Sequence, residues 1–450
     1  MDERTSGNSR SKLFVFLLIS AFFGPYYPGT PLRLDQVVGW IYIVALLVFL
    51  VVNGRIRIPM RSEKYVIGLS FVILFFMTIR LFLDVKIYRD AFQMTNQFSY
   101  FCAGASIFCL HRERLLRSTN FIIRTLLSMA ILVNLFAFFQ FINPQHEVVS
   151  TALRWYGGVG QEEYEYDDFN TLAAKTLLGG GQSISIFSGV QALAIFNLFI
   201  IAMAYGTLSD SLSKSGMKFL GLLSLILALI GGVLSGSKTF VFGVILLFVL
   251  ISVGGMRISR IGYALFLFVM FFAIFYLFSS QLRVTGDVWD LMIGGGIWDI
   301  FGSRFGSSDY EGYLSDVMAK TIEPFTLIFG LGTLAFDYKY TDFQFRQIVL
   351  VGGLPLFLLF YGLLVYLLVL NWRSRRSSSY GLPLFALGLV FLIAGVGQDV
   401  HLQARIVPLW MITNLLVGLG RRAATHKWVE PRPRVRDAVG VGAHSARLQG

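Results

Sequence analysis

The segment Ile348–Trp372 reads IVLVGGLPLFLLFYGLLVYLLVLNW and carries no charged side chain. A helix of roughly 20 apolar residues crosses the hydrocarbon core of a bilayer. This one stretch therefore places the chain among helical membrane proteins. Working outward from it, eleven further apolar segments can be read: Lys12–Gly24, Val37–Asn53, Tyr65–Leu83, Met94–Leu110, Phe121–Ile142, Ile184–Tyr205, Phe219–Leu234, Phe240–Val253, Ile261–Phe278, Leu382–Gly397 and Ile406–Leu419. The composition agrees. Hydrophobic residues make up 55% of the 450 and charged residues 14%, where a soluble domain has about 25% charged. The fold expected is all-α: a polytopic membrane protein of about twelve spans, with residues 1–420 in one integral membrane domain.

The loops between the segments set an orientation. One alternating set is basic: Arg55, Arg57, Arg61 and Lys64, then Arg112, Arg114 and Arg117, then Lys214 and Lys218, then Arg257 and Arg260, then Arg373, Arg375 and Arg376. Cytoplasmic loops carry the excess of Lys and Arg, so these loops and both termini are expected inside. The net charge of +12 is spread over many loops, which argues for topology and attraction to anionic lipid. A nucleic-acid binder would gather it on one face. The tail 421–450 is rich in Arg, Pro, Gly and Ala and is expected to be disordered. The first span is followed by Gly24-Pro25-Tyr26-Tyr27-Pro28 and lacks a small-residue cleavage site, so it reads as a retained anchor. Cys102 and Cys109 share one span at a spacing that suits neither zinc nor a redox pair.

Two outer loops are long, 143–183 and 280–345. Each combines Arg, Trp, Tyr, acidic residues and a Gly-Gly-Gly run. Loops of this length are functional or disordered, and these hold too many aromatics for disorder. The glycine runs match neither the dinucleotide nor the P-loop pattern and read as hinges or turns. Asp316–Leu331 is amphipathic enough for a short interfacial helix, with Gly330-Leu331-Gly332 as the turn leading out of it. No HExxH motif, cysteine cluster or Asp-x-Asp pair is present, so no cofactor or metal is expected. Such an enzyme would draw its energy from an activated substrate.

Cations on the outer side suit an anionic group such as a pyrophosphate. Arg offers a bidentate fork and Lys a point charge, and both can stabilise charge developing on a leaving oxygen. The candidates for substrate binding are Lys238, Arg283, Arg304, Arg346 and Arg405. Each has a plainer reading too. Lys238 could snorkel at a helix end, Arg283 and Arg304 could staple loops, and Arg346 could pair with Asp342 four residues earlier. Glycosyl transfer needs a proton acceptor, commonly a carboxylate or His. Asp342 and His401 are the catalytic candidates, with Asp309, Glu311 and Asp399 also outside the membrane core.

In this layout the chain resembles the O-antigen polymerase family. The turn Leu234-Ser235-Gly236-Ser237-Lys238 is similar to that family's Ser-Arg turn, with Lys in place of Arg. Arg283-x10-Gly294 matches an Arg-x10-Gly loop pattern. Gly330-Leu331-Gly332, Asp342, Arg346 and Gly352-Gly353 are similar to its G-x-G…D…G stretch. The resemblance implies a metal-independent, GT-C-like membrane glycosyltransferase of the bacterial inner membrane. It would polymerise undecaprenyl-pyrophosphate-linked oligosaccharide repeats, with Lys238, Arg283 and Arg304 on the pyrophosphate and a chain-length regulator as a protein partner. The related O-antigen ligases carry a His in the fifth outer loop, and there is none between Ser280 and Phe345. That favours a polymerase; an O-antigen ligase or other exopolysaccharide polymerase, or a transporter such as a lipid-linked glycan flippase, are the alternatives.

Overall fold

The structure is a computed structural model. It describes residues 3–25, 33–53, 61–83, 88–156, 182–187, 189–255, 258–279, 319–332, 335, 344–395, 400–403 and 405–425. Among these there is helix and connecting turn but no strand. The long helices are α1 (Glu3–Phe22), α2 (Leu34–Asn53), α3 (Arg61–Leu83), α4 (Tyr88–Arg117) and α5 (Thr119–Ile142). After a short α6 (Glu147–Tyr156) come α7 (Val190–Ser209), α8 (Ser215–Leu234), α9 (Lys238–Gly255) and α10 (Ile258–Ser279). A second short helix, α11 (Pro324–Phe329), precedes α12 (Gln344–Ser374), α13 (Gly381–Ala394) and α14 (Val407–Thr425). Each of the twelve apolar segments has most of its length on one of these helices, but Ile184–Tyr205 becomes helical only at Val190, and its described residues 184–187 are not helical.

Among the described residues, five helices are long and apolar enough to cross a membrane: α2, α5, α7, α8 and α12. Shorter apolar stretches occupy α3, α9, α10, α13 and α14. Several hydroxyls inside the helices satisfy themselves locally on the preceding turn, as a hydrocarbon surrounding favours. Ser70 donates to Val66 O at 2.8 Å, Thr125 to Phe121 O at 2.9 Å and Thr207 to Met203 O at 3.0 Å. Large apolar side chains also point outward, among them Val51, Phe75, Leu132 and Leu358. A helix apolar on all sides belongs in a large core or in lipid.

The bundle is built around α7, which is buried along almost its whole length. Helices α5, α8, α9 and α13 pack around it. A second layer joins α4 to α2, α3 and α14. Helix α4 approaches α14 closely because Gly104 has no side chain: a Cβ there would lie 2.9 Å from Pro408 O. Alternate helix ends gather at each end of the bundle. At the basic end Ser11 meets Ser118 at 3.2 Å, Thr207 meets Tyr380 at 3.1 Å, and the Arg114 guanidinium lies 4.7 Å over the Phe14 ring. The opposite end gathers the candidate site.

Helix bounds run past the expected spans. The expected fourth span is Met94–Leu110, but α4 continues to Arg117 through a kink at His111 (φ −118°, ψ 20°). Polar residues beyond the apolar run can stay helical once outside hydrocarbon, which is why hydropathy under-reads the length. Both cysteines are free, Cys102 buried and Cys109 half-buried.

Candidate functional site at the end opposite the basic loops

The turn between α8 and α9 is made by its own backbone and hydroxyls. Ser235 N–H donates to Gly231 O at 3.0 Å and its Oγ to Gly232 O at 2.6 Å. Gly236 takes φ +61°, a conformation that glycine adopts without cost. Ser237 N–H then donates to Ser235 Oγ at 3.3 Å. The result places Lys238 as the first residue of α9, half-buried. Gln182 lies over this turn: its Nε2 is 2.7 Å from where a Cβ of Gly236 would stand.

Gln182 opens a short non-helical segment, Gln182–Phe187, that dips between helices. Non-helical backbone at such a place must find its partners inside the protein, and it does. Ser183 N–H donates to Leu234 O at 2.8 Å and Ser183 Oγ to Ala137 O at 2.8 Å. Ser185, at φ 54°, is held by Gln140 in both directions: its N–H donates to Oε1 at 2.7 Å, and Nε2 donates to its carbonyl at 3.0 Å. Ser185 Oγ donates to Val133 O at 2.6 Å. Arg405, 4% exposed, donates to Ile186 O, and through Nη2 to Gly24 O at 3.2 Å. One guanidinium thus ties the last connection to the first and the third.

His401 sits in a one-turn 3-10 helix, Val400–Leu402. Gln344, the first residue of α12, holds it: His401 N–H donates to Gln344 Oε1 at 3.3 Å, and Nδ1 lies 3.2 Å from Gln344 Nε2 and 3.3 Å from Oε1. Gln344 N–H donates to Gly395 O at 3.0 Å. The imidazole is 1% exposed and is enclosed by the rings of Phe360, Phe391 and Trp410, edge-on to the first two. Burial pushes its pKa down from 6.5 to about 3, because a charge cannot be solvated there. His401 is therefore neutral and faces no open surface. Arg346 lies half-buried on the first turn of α12.

The glycine pattern of the sequence has a spatial meaning. Helix α12 breaks at Gly353 (φ 68°, ψ −168°), just before Pro355. Gly330, at φ 72°, caps α11 and sits against that break. A Cβ on Gly330 would lie 2.5 Å from Val351 O, and one on Gly353 2.5 Å from Ile328 O. The two backbones touch, and Leu331 N–H donates to Leu350 O. Within the expected interfacial helix, residues 319–322 form a helical turn and 324–329 form α11. Ile322 and Phe325 are 71% and 60% exposed, with Lys320 and Glu323 paired at 2.5 Å on the polar side.

The structure thus brings Lys238, Arg346, Arg405 and His401 to one end of the bundle. Asp342, Arg283 and Arg304 lie outside the described residues, as do Asp309, Glu311 and Asp399. Sequence reading passed over Gln140, Gln182, Gln344 and the two serines of the dipping segment. The available signal was an amide inside an apolar run, Gln140 within AFFQFI. It also passed over α6, whose Val149 packs on Ile184 and Phe139. No protein-family model matches the chain, and no curated protein is detectably similar to it.

Proposed function

We propose that the protein is a membrane glycosyltransferase that polymerises lipid-pyrophosphate-linked oligosaccharide repeats, as O-antigen polymerases do. The observation that carries this reading is the meeting of Gly330 with Gly352-Gly353 at the same end of the bundle as Lys238. The two glycine clusters of one stretch on which the resemblance rests pack against each other, and the turn that carries Lys238 lies at the same end. In this reading all twelve long helices span the bacterial inner membrane, in a GT-C-like arrangement. The basic end and both termini face the cytoplasm, and the site faces outward.

The chemistry follows from the side chains. A hydroxyl of the acceptor repeat attacks the anomeric carbon of the growing glycan. The new glycosidic bond forms as the bond to pyrophosphate breaks, and the pyrophosphate departs on its undecaprenyl carrier. Lys238, Arg283 and Arg304 neutralise the charge that develops on the leaving oxygen, with Arg346 adding field from the start of α12. Asp342 takes the hydroxyl proton. Arg405 and His401 hold the surrounding connections in place. Membrane lipid surrounds the bundle, and a chain-length regulator is the protein partner.

The second reading is a lipid-linked glycan flippase, which the break in α12 favours, since transporters build sites on discontinuous helices. One experiment separates them. Purified protein is incubated with a lipid-linked repeat unit from the host, without nucleotide or metal. A ladder of chain lengths supports polymerisation. Movement of the repeat across a vesicle membrane with no ladder supports the flippase and sinks the polymerase.

A further inference from the structure

The α7–α8 and α12–α13 connections meet at the basic end of the bundle. Tyr380 and Thr207 share a hydrogen bond at 3.1 Å, and the Tyr380 ring lies against Gly206, where a Cβ would collide with it. The first connection carries Lys214 and Lys218, the second Arg373, Arg375 and Arg376. Asp210 is the only acid in 206–219, and 368–385 has none. The Asp210 carboxylate is taken up by its own turn: Oδ1 accepts from Leu212 N–H and Oδ2 from Ser213 Oγ, each at 3.2 Å. Among the described residues none of the five cations makes an ion pair.

The orientation of the chain does not require this imbalance. The positive-inside bias counts Lys and Arg and is nearly indifferent to acids. Elsewhere at the same end Arg117 has Glu113 at 3.5 Å. The patch is also amphipathic. Leu212 and Phe219 are 78% and 68% exposed beside the two lysines. Trp372 is exposed beside the three arginines. The Arg375 guanidinium lies 3.1 Å over its ring, and Phe385 flanks it at 4.7 Å. Trp is enriched where a bilayer meets water, because its ring suits both.

We propose that these two connections together form a binding site for the headgroup of an anionic phospholipid. The cations gather at its phosphate, where an arginine can fork onto two oxygens and a lysine supplies a point charge. Leu212, Phe219 and Trp372 lie at the level where the acyl chains begin. A free phosphate ion would match the cations but leave those three side chains in water. A zwitterionic lipid brings its own cation to a place that already holds five against one acid. An anionic lipid answers both features. Bound there, it joins the basic ends of α7, α8, α12 and α13, so it stabilises the bundle at the end away from the candidate site. The proposal does not depend on the reaction.

The test uses the full chain in a neutral detergent. Added phosphatidylglycerol should raise the Tm saturably, whereas phosphatidylcholine and soluble glycerol 3-phosphate should not. No rise, an equal rise with phosphatidylcholine, or a rise with glycerol 3-phosphate alone overturns the proposal. Lys214→Gln combined with Lys218→Gln should raise the phosphatidylglycerol concentration needed by about thirtyfold, roughly fivefold for each cation. Arg10→Gln combined with Lys12→Gln removes the same charge from exposed positions on α1 at the same end and should leave that concentration unchanged. An equal loss in both variants means a response to net charge alone and overturns the site, as does no loss in the first. The comparison of lipids on the unaltered chain needs no variant, so a variant that fails to fold leaves a result that can still overturn the proposal.

Discussion

At the scale of single residues, His401 is the clearest case of burial deciding chemistry. Its imidazole is neutral in the folded protein because desolvation holds its pKa at about 3, against 6.5 in solvent. The unfolded chain therefore binds the extra proton first as pH falls. Stability contributed by the neutral ring is complete above pH 6.5 and is lost progressively from there toward pH 3, by about 2 kcal/mol at pH 5. The Tm of the purified protein should fall between pH 7 and pH 5. In His401→Gln, that part of the slope should disappear while the ordinary acid loss remains. An unchanged slope in the variant would mean the ring is not buried as described. The same burial makes a role in holding Gln344 more natural for His401 than contact with a substrate. Lys238 differs: half-buried at a helix start, it keeps an open side.

At the scale of elements, two irregular pieces shape the candidate site. The first is the break in α12. Gly353 has both a left-handed φ and a neighbouring backbone where a side chain would go. Gly353→Ala should cost about 1–3 kcal/mol and appear as a lowered Tm, whereas Gly362→Ala on the same helix, with open space at its Cβ, should be near neutral. The second is the segment Gln182–Phe187. Gln140→Leu would leave both the N–H and the carbonyl of Ser185 unpaired, at about 1–3 kcal/mol each. Proteolysis within the third loop should accelerate in that variant. These pieces also mark how far sequence reading reached. The helices are legible because hydrocarbon demands long apolar runs, and Gly330 and Gly353 stand out in the sequence as a pattern. Their contact was not legible, since nothing in Gly330-Leu331-Gly332 says which helix it meets. Nor was the staple made by Arg405: a lone Arg in an outer loop reads alike whether it awaits a phosphate or donates to Ile186 O and Gly24 O. The amides Gln140 and Gln344 were hidden by their type, since Gln carries no motif and only its position in the fold gives it work.

At the scale of the whole molecule, one asymmetry supports the functional reading. The described parts of the basic connections lie at one end of the bundle, and the dipping segment, the α12 break, Lys238, Arg346, Arg405 and His401 share the other. The positive-inside rule turns that asymmetry into a direction. A reporter active only outside the cytoplasm should be active when fused near Lys320 and inactive when fused at Lys214. Arg283→Ala with Arg304→Ala should then abolish polymer while the protein still inserts in the membrane; normal polymer length would remove both from the site. The topology result is the more demanding of the two. A carrier-linked donor whose glycan is extended outside the cell can only meet a site that opens there. Activity of the reporter at Lys214 instead would invert every helix and put Lys238 and Arg346 on the cytoplasmic face, where nucleotide-activated donors are available. The argument from an already activated lipid carrier would then lose its premise, whatever the side chains at that end can bind.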